Sequence, residues 1–130
     1  MTLAEKQQEF IELFNELGEW PNRFTYLIAI GDELQPMPAH LVIPENKIAG
    51  CMSNTYFCCT YIDNVAHIYG QSNATIPSGI IAVMHDIFNG CTRDEIRAEI
   101  INFHTETKLI ENLTPARAGA VEQMITKLLA

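Results

Sequence analysis

Between two regions of helical periodicity lies a stretch poorly suited to a helix. Thr55-Tyr56-Phe57-Cys58-Cys59-Thr60-Tyr61-Ile62 and Val65-Ala66-His67-Ile68-Tyr69 are dense in aromatic and β-branched residues. Such side chains fit a pleated surface and lose rotamer freedom in a helix. Asp63-Asn64 between them tolerate the left-handed backbone of a two-residue hairpin turn. A short third strand over residues 46–49 is expected to pair alongside, giving a small antiparallel sheet. Because the strands are grouped and not alternated with helices, the fold class is α+β.

The flanks read as helices with definite ends. Thr2 and Glu5 have capping-box spacing for a helix over residues 3–17, with Phe10, Leu13, Phe14 and Leu17 on one face and Gly18 as its stop. A second helix over residues 22–30 presents Phe24, Leu27 and Ile28, and Gly31 ends it. Residues 32–44 contain three prolines and read as an extended surface loop. Beyond the sheet, Ile76, Ile80, Val83, Met84 and Ile87 recur at helical spacing, with Asn73 or Thr75 as cap, Pro77 in the first turn and Gly90 at the end. Thr92 and Glu95 suggest a second capping box, for a helix carrying Ile96, Ile100, Ile101 and Phe103. Thr114-Pro115 opens a last helix with Val121, Met124, Ile125 and Leu128 inward. The expected order is α-α-β-β-β-α-α-α, with a three-stranded sheet packed on helices in one domain over residues 1–130. That length buries a core without a disulfide or metal staple.

Acidic residues outnumber basic ones by 16 to 8, a formal charge of −8. Such a surface repels phosphate backbones, and no Lys/Arg run offsets it, so nucleic acid is not an expected partner. The N-terminus has no basic segment followed by an apolar one, and no stretch approaches the roughly 20 apolar residues of a membrane span. A cytoplasmic protein with reduced cysteines is expected. Cys51, Cys58, Cys59 and Cys91 form no C-x-x-C, and no histidine stands at zinc-ligand spacing from them, so no metal site is expected.

Cys51 is the cysteine whose position is unusual. Gly50 before it permits a tight or left-handed backbone, and the pair falls just ahead of the first strong strand, so the thiol is expected on a turn. Accessibility of that kind is one requirement of a sulfur nucleophile, and thiolate character is the other. Cys58 and Cys59 are adjacent in a strand and point to opposite faces, which suits packing and not joint chelation. Cys91 lies in a helix–helix turn with no chemistry beside it. A Cys–His hydrolase would need His40 or His67 brought to Cys51 and a third group to orient it. The carboxylates at 9, 12, 16, 95 and 99 have the spacing of solvated helix faces, and no glycine loop of nucleotide-binding type is present.

Four separated segments together resemble the SufE family of sulfur acceptors (SufE/CsdE-like). Trp20-Pro21-Asn22-Arg23-Phe24-Thr25-Tyr26-Leu27-Ile28-Ala29-Ile30-Gly31 is similar to the family's opening segment. Ile48-Ala49-Gly50-Cys51-Met52-Ser53 resembles its G-C-x-S acceptor loop. Residues 70–82, Gly-Gln-Ser-Asn-Ala-Thr-Ile-Pro-Ser-Gly-Ile-Ile-Ala, resemble the run that opens its long central helix, and Leu113-Thr114-Pro115-Ala116-Arg117 the start of its last. The chain departs from the pattern at Thr55-Tyr56, where the family has Val-Trp, at Gln71 and Asn73, where it has aspartates, and at Ala120, where it has glycine.

The resemblance implies a SufE/IscU-like fold and a defined chemistry. Cys51 would accept sulfur from a SufS-type cysteine desulfurase as a persulfide, stimulate that enzyme, and pass the sulfur to an Fe–S scaffold or other acceptor. The chain would be a carrier and activator and not itself an enzyme. It would need no cofactor, because the pyridoxal phosphate belongs to the desulfurase. Gly50 and Ser53 would support the loop, and Tyr56, Ser72, Asn73 and Arg117 would lie near it or in the docking surface. Arg117 could instead make a surface ion pair. The alternatives are a regulatory or binding module that carries no sulfur, and an Fe–S or zinc scaffold of related fold.

Overall fold

The computed structural model describes residues 1–130. Helix α1 (Leu3–Glu16) begins at the expected capping box: Glu5 N–H donates to Thr2 Oγ1 and Thr2 N–H to Glu5 Oε1. Gly18, at φ +83°, turns the chain into α2 (Trp20–Asp32). Arg23 secures that corner. Its Nε donates to Gly18 O at 2.8 Å, and its guanidinium lies 4.8 Å from the Trp20 ring centre and 5.5 Å from that of Phe14. Residues 33–54 follow with two short 3-10 turns, Ala39–Leu41 and Pro44–Asn46. Strands β1 (Thr55–Ile62) and β2 (Val65–Ser72) pair antiparallel from Thr55–Ser72 to Ile62–Val65. Asp63 and Asn64 both have positive φ, 51° and 66°, as the two-residue turn requires.

Helix α3 (Thr75–Phe88) is the centre of the molecule. All five residues of the expected stripe are buried, and ten of its fourteen positions are inaccessible. It packs on the hairpin on one side and on α2 on the other, and glycine makes both approaches possible. A Cβ on Gly79 would stand 2.2 Å from Leu27 O, and one on Gly31 would stand 2.6 Å from Gly79 N. On the sheet side a Cβ on Gly70 would meet Ile81 Cγ2 at 2.7 Å. Gly31 thus does not end α2. It lies inside the helix, which runs two residues further than its periodicity suggests and also starts two earlier. The remaining elements are α4 (Arg93–Ala98), a short α5 (Phe103–Glu106), a 3-10 turn (Ile110–Asn112) and α6 (Pro115–Leu129).

The structure corrects three expectations. The sheet has two strands, not three. Ile48 N–H bonds Thr55 O at 2.8 Å and Lys47 bridges Tyr56, but the segment goes no further. The Pro44–Asn46 turn precedes it, and both backbone groups of Ala49 are bonded by the Gln123 side chain, so no ladder can extend. The helix expected from Thr92 to Phe103 is broken between α4 and α5, leaving Ile100 exposed. The cause is Gln7, buried on α1. Its amide donates to Ile100 O, and its oxygen accepts from Asn102 N–H and Phe103 N–H. Those bonds meet the backbone needs of the break from outside the helix. Third, α3 begins after Ala74 with no side-chain cap from Asn73 or Thr75. Among smaller differences, Leu13 and Ile28 are exposed. Thr92 caps α4 as expected, but Glu95 bonds Leu3 N–H and does not return to Thr92.

The glycine contacts separate into two kinds, which can be tested as a pair. Gly79→Ala should lower unfolding stability by at least about 2 kcal/mol, because the obstructing atoms are backbone and cannot rotate away. Gly119→Ala, inside α6 with nothing within 4 Å of the new methyl, should raise it by about 0.5–1 kcal/mol. Urea denaturation of both variants checks the contrast, which fails if the two shifts have the same sign.

Candidate functional site

Cys51 lies where the chain leaves its extended run and turns into β1. Gly50 adopts φ +75°, a region that a side chain at this position would occupy only under strain. The turn directs the chain so that Cys51 is half-buried against the edge of the core, while its neighbour Met52 is fully exposed. All four cysteines are free thiols. Cys58 and Cys59 lie within β1; Cys91, like Cys51, stands outside regular structure, but it is buried just before the cap of α4 whereas Cys51 is only half-buried.

Both ends of this loop are held by amide side chains. At the upstream end, Ala49 N–H donates to Gln123 Oε1 at 2.9 Å, and Gln123 Nε2 donates to Ala49 O at 2.8 Å. One α6 side chain thereby bonds both backbone groups of a single residue. One turn further along α6, Lys127 Nζ donates to Glu45 O. At the downstream end, Asn54 N–H donates to Asn73 Oδ1 at 3.0 Å, and Asn73 N–H donates to Asn54 O at 3.3 Å. Beneath that pair runs a chain of hydroxyls. Ser53 Oγ meets Thr55 Oγ1 at 2.9 Å, and Thr55 Oγ1 meets Ser72 Oγ at 2.8 Å. Ser72 Oγ accepts from Ala74 N–H, and Ser78 Oγ donates to Ser72 O and Ala74 O. The fully buried Thr55 and the half-buried Ser72 are the terminal pair of the hairpin and alternate onto its core-facing side.

Of the residues picked out from the sequence, Gly50, Cys51, Ser53, Ser72 and Asn73 come together in this one structure. Tyr56 pairs with Gln71 on the opposite face of the hairpin, half exposed and outside the hydroxyl chain. Arg117 occupies the first turn of α6, where its N–H bonds the capping Thr114 Oγ1, and its guanidinium makes neither a hydrogen bond nor an ion pair. The surface ion pair considered for it is not formed. Sequence reasoning missed Gln123, Asn54 and Thr55. For Gln123 the only available signal was a polar residue bordering the apolar Val121–Met124 stripe, which does not name a partner 74 residues away.

The other thiols are set apart chemically. Burial pushes the Cys58, Cys59 and Cys91 thiols above the ordinary range, which disfavours thiolate. Cys91 also receives the Lys6 ammonium at 3.7 Å, an interaction that lowers its pKa but does not outweigh burial. No histidine bonds Cys51. His67 pairs with Thr60, five positions along the ladder from Thr55 and so roughly 17 Å away at the usual rise per residue. Burial holds the His104 imidazole below its ordinary pKa. No three His, Cys, Asp or Glu side chains converge as a metal centre would need. A cavity of about 380 Å³ between α2, β2 and α3 is lined by Ile30, Met37, Tyr69 and Asp86 among others, and no residue of the Cys51 loop reaches it. No helix is long and apolar enough to cross a membrane.

Known proteins resemble the chain in sequence and in fold. A family model described as SufE, Fe-S metabolism associated domain, matches residues 8–130. An uncharacterized SufE-like protein of Rhizobium meliloti (strain 1021) is 31% identical over 125 residues, covering 92% of this chain and 89% of the relative. The solution structure of a hypothetical protein from Thermus thermophilus superposes with a TM-score of 0.75 over 95% of this chain and 90% of that one. At 16% identity it is a likeness of fold. The chain belongs to the SufE family, and the family is associated with Fe–S metabolism.

The thiol environments predict an order of reaction. With limiting iodoacetamide at about pH 7.5, Cys51 should be alkylated first, ahead of Cys58, Cys59 and Cys91 by at least about tenfold. Peptide mapping by mass spectrometry reads the order directly. Equal labelling of all four would contradict the contrast between the loop thiol and the three whose pKa is raised by desolvation.

Proposed function

We propose that this chain is a sulfur carrier that takes sulfane sulfur from a SufS-type cysteine desulfurase onto Cys51 and hands it on for Fe–S cluster assembly. The observation that carries the proposal is the placement of one free thiol after a left-handed glycine, in a loop fixed at both ends, within a SufE-family chain. That arrangement matches the needs of thiol exchange: a sulfur that a second protein can reach, held in a fixed position.

The step is a displacement at sulfur. The Cys51 thiolate attacks the terminal sulfur of the persulfide on the desulfurase cysteine. The bond between that sulfur and the desulfurase sulfur breaks, and the desulfurase leaves as a thiolate. A new S–S bond joins the transferred atom to Cys51 Sγ, and the same exchange moves the atom to the next acceptor. No external oxidant or reductant enters, because the oxidation level passes with the sulfur. Removal of persulfide from the desulfurase frees its cysteine for another turnover, which is how the carrier would also stimulate the enzyme. Any pyridoxal phosphate resides on the desulfurase, and the exchange needs only the Cys51 thiol from this chain. A reducing, cytoplasmic setting would keep that thiol available.

The loop's support residues have assigned parts in this reading. Gly50 gives the turn its hand, and Ser53, through Thr55 and Ser72, ties the far end of the loop to the start of α3. Asn73 supplies an acceptor oxygen to Asn54 N–H, which an aspartate at this position could also supply. Its departure from the family pattern therefore keeps the bond that matters here. Met52 and the half-exposed Tyr56 are the apolar surface nearest the loop in sequence, and a desulfurase is proposed to dock over them.

Incubation with a cysteine desulfurase and free cysteine should add about 32 Da, one sulfur atom, at Cys51, removable by a thiol reductant. Desulfurase turnover should rise at the same time. Cys51→Ser should abolish both while still binding the enzyme in a pull-down. If Cys51→Ser stimulates as well as the wild type, the chain is a regulatory module and not a carrier. Stoichiometric iron or zinc in the purified protein would favour a scaffold instead.

A further inference from the structure

We infer that Gln123 is a positioning residue for sulfur transfer: its two hydrogen bonds to Ala49 hold the Cys51 loop in the geometry that a protein-bound persulfide must meet. The inference rests on the carrier reading above and adds to it a residue on α6, more than seventy positions from the thiol in sequence.

The contact is specific in a way most surface hydrogen bonds are not. A primary amide has one acceptor and one donor group side by side, and here both are used on one residue, Ala49 N–H to Oε1 and Nε2 to Ala49 O. Two roughly parallel bonds fix the plane of contact as well as its distance, which a single bond does not. The fixed residue immediately precedes Gly50, the left-handed hinge of the turn, and stands two before Cys51. Glycine at φ +75° has open space around it, with nothing within 4 Å of where a side chain would be. Gly50 sets the hand of the turn, but no packing around it fixes where the loop points. The restriction comes from Ala49 on one side and from the Asn54–Asn73 pair on the other. Between these anchors lie only residues 50–53. The loop's conformational freedom is thus limited downstream by Asn73 and the Ser53–Thr55–Ser72 hydroxyls of the adjoining hairpin end, and upstream by Gln123 on a distant helix.

Transfer between two proteins requires the attacking sulfur to be near the partner sulfur and correctly directed, and small misplacements reduce the rate strongly. A small electrophile in solution imposes no such condition, because it approaches the thiol from any open side. Loss of positioning should therefore separate the two reactions. Neutral surface hydrogen bonds each hold a conformation by a modest factor, and two together by about five- to thirtyfold.

The test uses the full chain as wild type and as Gln123→Ala, with a cysteine desulfurase charged with persulfide in single turnover. The variant should receive sulfur on Cys51 about five- to thirtyfold more slowly at saturating desulfurase, with the dissociation constant of the complex changed less than about twofold. Its alkylation by iodoacetamide should be as fast as in the wild type or faster. Amide hydrogen exchange of Ala49, whose N–H is the bonded one, should quicken, while the hairpin stays protected. Sulfur transfer at the wild-type rate would overturn the inference, and so would a fall in alkylation that matches the fall in transfer, which would place the effect in the thiol's chemistry. Unchanged exchange at Ala49 would overturn the clamp itself. These failures are distinct from failure of the carrier reading, in which the wild type itself acquires no sulfur on Cys51.

Discussion

The rest of the molecule depends on how closely α2 can approach α3. At Gly79 the backbone of α3 lies against Leu27 O with no room for a methyl group, and Gly31, one turn further along α2, meets Gly79 as closely. This brings two helix backbones together along a line with no side chain between them, which small residues allow and larger ones prevent. Gly70 repeats the device on the opposite side of α3, where the sheet rests on Ile81. A helix approached this closely on two sides is buried nearly all round, and α3 has the composition for it. The site is built from the N-terminal end of that helix. Ser72, Ala74 and Ser78 belong to the turn where β2 passes into α3, and the hydroxyl chain to Ser53 starts there. The position of the Cys51 loop is thereby referred to the most deeply buried part of the fold.

The sheet shows the reverse relation, in which the site limits the fold. A third strand over residues 46–49 would extend the sheet beyond β1, and its first bond, Ile48 N–H to Thr55 O, is made. At Ala49 the ladder gives way to Gln123. Every backbone group needs one partner, and a partner from α6 substitutes for one from β1 with little difference in energy. The difference is in direction. A strand would continue along the hairpin and carry Cys51 into the sheet, whereas the clamp lets the chain leave at Gly50 and turn. The other edge of the hairpin is closed in a similar way, by Asn89, Gly90 and Cys91 bonding Ile68 and Ala66 of β2. A two-stranded sheet persists because both edges are occupied by short segments that do not extend it.

Much of this was legible in the sequence because it depends on local chemistry. The hairpin follows from its strand-forming residues and Asp63-Asn64, the α1 cap from Thr2 and Glu5, and the stripe on α3 from its spacing. Gly50-Cys51 and the run from Ser72 were legible as parts of a candidate site through their resemblance to a family. Two of the misses share one cause: a polar side chain bonding backbone far away in sequence. Gln7 reads as one more polar position on an amphipathic helix, yet its three bonds interrupt the helix expected after Thr92 and expose Ile100. Gln123 reads the same way and ends a strand. Gly31 misled for a related reason, since a glycine near the end of a helical pattern suggests a stop, and its actual use is a close approach that only the tertiary structure reveals. Periodicity reports which residues face the core, and it carries no information on which distant carbonyl a glutamine meets.

The groups that fix the ends of the Cys51 loop are neutral: Gln123, Asn73 and the hydroxyls of Ser53, Thr55 and Ser72. Lys127, bonding Glu45 O further upstream, is the nearest charged contributor. This choice has a consequence for a chain with a formal charge of −8. A surface of that sign draws a basic partner, and the approach of a basic surface changes the local field and the ion atmosphere. An ion pair holding the loop would be weakened or redirected by that change at the moment of docking. Amide and hydroxyl contacts do not titrate near neutral pH and are little affected by salt, so under the proposed carrier function they would keep the thiol's position independent of the field of a docking partner. Long-range attraction and local geometry are then supplied by different residues. Arg117 fits the same division: without an ion pair, it remains a charged surface group, and its backbone N–H at the Thr114 cap is its link to the local structure.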